Sequence, residues 1–158
     1  MLCEESWHPD VRRLYQYWRA IHPAQGLPGR QHFDPLAVGP LLSRLWLVDV
    51  QRQPFRLRYR LVGTQLTERA GRELTGLWFD EAHPEIVTIP NFYHRFRMVC
   101  EDRQPSWRRG PPGLFFLHKV DILEIENLFL PLAQDGETVD MLCCLTITYS
   151  RGTSAELD

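Results

Sequence analysis

Apolar side chains recur three and four residues apart near the start of the chain, where Val11, Leu14, Tyr15, Trp18 and Ile21 fall on one stripe. That spacing predicts a helix with one buried face, opened by Pro9 and Asp10 and closed by His22-Pro23. AQGLPGRQ, with two glycines and a proline, is a loop, and FDPLAVGPLLSRL offers a short helical turn with Asp34 and Pro35 at its start. The period then changes to two. RLWLVDVQ and FRLRYRLVG flank a turn at Arg52-Gln53-Pro54, and in the second run Phe55, Leu57, Tyr59 and Leu61 alternate with Arg56, Arg58 and Arg60. A hairpin with one core face and one wet face follows.

The next stretch, YRLVGTQLTERAGRELTGLWFDEAH from Tyr59 to His83, is broken by Gly63, Gly71 and Gly76. Elements this short wrap something rather than span it. HPEIVTIPNFYHRFRMVCED carries the main helix, with Pro90 at its first position and Ile89, Phe92, Phe96, Val99 and Cys100 on one face. RQPSWRRGPPG reads as a loop or irregular edge. GLFFLHKVDILEIENLFLPLAQDGETVDMLCCLTITYS supplies two or three more strands around a turn at residues 134–137, and RGTSAELD reads as a frayed tail. The order predicts an α+β fold with an antiparallel sheet and most of its helices gathered in mid-chain.

Composition narrows the classes of function. A chain of 158 residues suits one domain, which buries about 70% of its unfolded surface. Apolar residues at 44%, charged residues at 24% and a net charge of -2 give no general attraction to nucleic acid or anionic lipid. The arginine row at 56, 58 and 60 is interleaved with acids elsewhere and reads as surface pairing. The N-terminus lacks a targeting pattern and no apolar run is long enough to span a membrane, so a cytoplasmic location is expected. Cys3, Cys100, Cys143 and Cys144 form no CxxC pair or disulfide framework, which fits free thiols in a reducing compartment.

Gly71, Glu73-Leu74, Gly76 and Phe79, followed by His83-Pro84-Glu85, resemble the G-x-E-L-x-G-x-x-F then H-P-E pattern of PAS sensor domains. The likeness is closest to small stand-alone bacterial PAS-like proteins, in which a tryptophan-bearing helix precedes the fold and an LPL-x-x-DG segment, here Leu130-Pro131-Leu132 to Asp135-Gly136, links the last two strands. It covers residues 7–149. The resemblance implies a five-stranded antiparallel sheet curved around a cavity, with central short helices and one longer helix on one face and an N-terminal flanking helix. The expected divisions are a flanking helix and loop over 1–28, the PAS-like domain over 29–149 and a flexible tail over 150–158. Glycines at 63, 71 and 76 would permit the tight reversals and positive φ values that short helices need beside a sheet. With no output segment after residue 149, the expected output is carried by a separate protein.

The cofactor classes of such domains can be weighed against the residues. Flavin photosensors need a cysteine in the short central helices, and none lies between Cys3 and Cys100. A haem would need a histidine on the long helix. At about 100° per residue His94 turns away from the Phe92 and Phe96 face, so no cofactor is assigned. His83 reads as a helix start, and His8, His22, His32 and His118 lack ligand spacing, so no metal site is read. Asp80, Glu81, His83 and Glu85 have the parts of an acid/base cluster but also the placement of helix-start residues, and no catalytic residue is assigned.

Strand and helix parity give the expected lining of a small-molecule cavity: Tyr59, Leu61, Trp78, Phe79, Phe92, Phe96, Phe129, Met141 and Cys143. The inward polar groups would be Tyr59 or Asn127, and parity finds no inward carboxylate. Cys143, in an apolar row, is expected to be an inert core thiol. The N-terminal stripe must cover its own sheet or pair with a second copy, and the resemblance favours a homodimer through this helix. The expected function is a non-catalytic sensory module that binds a small molecule, a protein partner or both, without nucleic acid or membrane. The alternatives are a filled-core interaction or dimerisation module, or a small curved-sheet α+β enzyme.

Overall fold

The hairpin of the sequence forms as β1, Leu45–Gln51, and β2, Arg56–Val62, in a computed structural model that describes residues 3–113 and 121–151. The other strands are β3, Ser106–Gly110, β4, Ile122–Leu132, and β5, Met141–Ser150. All pairings are antiparallel and the order across the sheet is β2-β1-β5-β4-β3. The chain therefore starts its sheet at one side, crosses over through the helices and returns from the far edge. The expected loop or irregular edge around Trp107 is thus an edge strand. The predicted strand residues at 114–120, His118 among them, and the tail from 152 lie outside the described residues.

Both faces of the sheet are covered, which explains why β4 and β5 read as nearly continuous apolar runs rather than alternating ones. On the back face lies α1, Pro9–Ala20, whose Val11, Leu14 and Trp18 are buried in the same core as the strands. The apolar stripe of this helix is thus spent on the chain's own sheet. Trp18 Nε1 donates to the Pro131 carbonyl at 3.0 Å, Trp7 stacks on Trp107 with ring centres 5.6 Å apart, and buried Arg44 pairs with Asp10. The front face is covered by α3, Phe79–Ala82, and α4, His94–Asp102, while α2, Thr64–Ala70, packs against the helical segment Pro35–Arg44. Asn91, at φ +56°, interrupts the chain after Pro90, so the main helix begins at His94 and not at Pro90.

The glycines act in two ways. Gly71 and Gly76 have φ of +74° and +90°, as expected, but Gly63 sits at φ -61°. Its role is close approach: a Cβ there would lie 2.3 Å from the Leu42 carbonyl oxygen and 2.4 Å from that of Ser43. Only a residue without a side chain lets the end of β2 pass so near the segment leading into β1.

Candidate functional site

A cavity of about 370 Å³ lies between the front face of the sheet and the α3–α4 wall. Its apolar surface is built from Trp46 on β1, Tyr59 on β2, Phe129 on β4, Phe79 on α3, Phe96 on α4 and Phe92 just before it. Phe96 stacks on Phe129 with ring centres 4.7 Å apart, and Tyr59 meets Phe79 at 4.4 Å. Around this space the rings meet at stacked, tilted and edge-on angles.

The polar groups are few and fixed. Trp46 Nε1 donates to Thr146 Oγ1 at 3.0 Å, and Tyr59 Oη lies 2.8 Å from His83 Nε2. Burial raises the Tyr59 phenol well above its ordinary range and lowers the His83 imidazole, so this pair is held neutral. Arg95 reaches in from α4. Its Nε donates to Ser106 Oγ at 2.8 Å, its Nη2 to the Ser106 carbonyl at 2.8 Å, and its Nη1 to Asn127 Oδ1. The guanidinium carbon lies 3.8 Å from the centre of the Phe129 ring. Burial lowers Arg95 to about 10, the cost of removing its charge from water. Among the described residues no aspartate or glutamate lines the cavity.

Of the residues expected there, Tyr59, Phe79, Phe92, Phe96 and Phe129 line this cavity and Asn127 joins them; Leu61, Trp78, Met141 and Cys143 do not. Leu61 is misplaced by a bulge. The register passes from Val48↔Tyr59 to Leu47↔Leu61 with Arg60 left over, which turns Leu61 to the opposite face, where it is 38% exposed. Trp78 bridges to Arg58 at the edge of β2 and packs outside, under the Arg56 guanidinium at 4.1 Å, because neighbours in extended chain point opposite ways. On β5 the other row faces forward: Cys144 pairs with Trp46 and with Phe129, so Cys144 and Thr146 are on the cavity side of the sheet, where Thr146 lines the cavity, while Met141 and Cys143 face the back. Burial pushes the Cys143 thiol up to about 12 and Cys144 up as well, so neither is a ready nucleophile.

His94 is exposed, as its position on the helix predicts, and the side chain that enters the cavity is its neighbour Arg95. His83 does stand at a helix start, just before the turn Pro84–Thr88, but its side chain makes no cap and instead lines the cavity. Asp80 and Glu81 pair with Arg56 outside it. The buried carboxylate that parity missed is Glu126, fully buried on the back face of β4. It accepts from the His8 amide at 2.9 Å, Trp107 Nε1 at 3.0 Å and Tyr149 Oη at 2.6 Å. An acid inside a strand otherwise rich in Leu and Ile was the available signal. Trp46, Thr146 and Arg95 carried none beyond parity, and the long Arg95 side chain reaches a cavity that its helical angle only grazes.

Among the described residues no three His, Cys, Asp or Glu side chains converge on a metal-sized site, and no helix is long and apolar enough to cross a membrane. No curated protein and no solved structure matches the chain. A family model described as PAS domain matches residues 6–101, from just before α1 into α4. That span is more than half of the sequence and holds the first hairpin, the glycine-broken segment and most of the cavity's helical wall. The chain belongs to the PAS domain family, whose members serve in general as sensory and signalling modules.

Proposed function

We propose that this protein is a non-catalytic PAS sensor that holds a small organic molecule between the front of its sheet and the α3–α4 wall, and passes the state of that cavity to a protein partner. The supporting observation is the cavity itself: about 370 Å³ of mainly aromatic surface with a few polar groups fixed in place. A module that worked only through its surface would have no need of such a space, and a few oriented polar groups in an apolar wall are what gives a ligand its orientation. Catalysis has less support, since the nearest buried carboxylate, Glu126, faces the other side of the sheet.

β4 is the natural route outward. Asn127 holds Arg95 at the cavity and the adjacent Glu126 holds the start of α1 through the His8 amide. A molecule that moved Arg95 would act on the strand that also anchors the N-terminal helix.

Native mass spectrometry of the purified protein, joined to an absorbance scan from the near ultraviolet through the visible, tests this. A retained small molecule or a chromophore band is expected. An apo mass without a band, together with no change in thermal stability across a metabolite collection, would overturn it.

A further inference from the structure

Resting on that proposed ligand site, we infer that its ligand is an organic anion with a flat apolar body, of the aromatic monocarboxylate class, whose carboxylate is received by Arg95. The first ground is the state of that arginine. Its hydrogen bonds go to neutral acceptors on Ser106 and Asn127, including the Asn127 carbonyl at 3.3 Å. Among the described residues no carboxylate pairs with it, whereas Arg44, Arg56, Arg60 and Arg109 each have one. Neutral acceptors orient a guanidinium without cancelling its charge, so Arg95 is a cation held still and left uncompensated.

The second ground is the sign of the whole lining. Arg95 and Arg108 both border the cavity and, among the described residues, no acid does, although acids outnumber arginines and lysines in the chain as a whole. Apolar walls focus such a local charge and favour an anion inside. Burial that lowers Arg95 to about 10 is a cost that a bound anion would offset.

The third ground is the shape of the rest. Six aromatic rings border the space, surfaces on which a planar body can stack or meet edges. One charge on the ligand matches the one cation that the walls largely desolvate, because Arg95 is half-buried whereas Arg108 is exposed at the rim and spends one N–H on the Pro111 carbonyl at 3.1 Å. A doubly charged phosphate would leave its second charge facing rings.

Isothermal titration of the whole protein with 2-naphthoate and with its neutral counterpart 2-naphthamide tests the inference. The unaltered protein should bind the carboxylate about tenfold or more tighter than the amide, since a charge-assisted hydrogen bond to a desolvated arginine carries that much. Arg95→Gln should bring the two ligands close to equality, and Arg95→Lys should restore part of the preference. Equal binding of the two by the unaltered protein would overturn the anion class while leaving the ligand site standing. A preference that survives Arg95→Gln would overturn the role of Arg95. Binding of neither would overturn the inference, and if native mass spectrometry also finds an apo protein, the ligand site falls with it. The comparison between the two ligands needs no variant, so it holds even if Arg95→Gln folds poorly.

Discussion

The imidazole of His83 shows how much one buried side chain can set. Burial lowers it below the ordinary range near pH 6.5, and burial likewise lowers His8. The folded chain then declines a proton that the unfolded chain accepts, so the unfolded state binds more protons in the interval between the two pKa values. Stability is therefore complete above about pH 7, falls as the pH drops through about 6.5, and levels off below the folded-state value. In urea unfolding, the unaltered protein should lose more free energy between about pH 7 and about pH 5 than His83→Asn does. Parallel curves would mean that His83 titrates as freely folded as unfolded. Nothing in H-P-E told that His83 would turn inward. The pair it makes with Tyr59 is set by how α3 lies across β2, which is a tertiary fact.

At the scale of elements, the legible parts were those whose periodicity is carried by sequence neighbours. The α1 stripe, the β1–β2 hairpin and the short helices around Gly71 and Gly76 form where the pattern places them. The failures came where parity needs a fixed starting point. One extra residue at Arg60 reversed Leu61, and a strand buried on both sides gave no way to choose between the Cys143 row and the Cys144 row. Glu126 belongs to this scale too, because it ties three elements together: α1 through His8, β3 through Trp107 and β5 through Tyr149. Glu126→Leu keeps the bulk but leaves three donors without their acceptor, and should cost about 3 kcal/mol in unfolding free energy. A loss below about 1 kcal/mol would show that the three donors find other partners or reach water.

For the molecule as a whole, the N-terminal helix is the back wall of the core rather than an appendage. Val11, Leu14 and Trp18 are buried with Leu128, Leu130 and Leu145, and Arg44 reaches across to Asp10. Removing residues 1–22 would bare one side of β4 and β5. Sedimentation and thermal melting of the shortened chain should show aggregation or loss of a cooperative transition. A shortened chain that stays monomeric and melts cooperatively would show that the sheet stands without this cover. The same burial shows why the homodimer expected from the stripe could not be judged from sequence: an apolar helix face reads alike whether its partner is its own sheet or a second copy.

The two residues at 126 and 127 are joined by a single peptide plane that forms part of the walls of two rooms. Turning it to relieve a strained group in the cavity would pull on the carboxylate that fastens the opposite layer, and restoring that carboxylate would push back on the cavity. Evolution or an engineer seeking a new cavity shape therefore meets a shared wall, and changes to the front of β4 will succeed in company with compensating changes behind it.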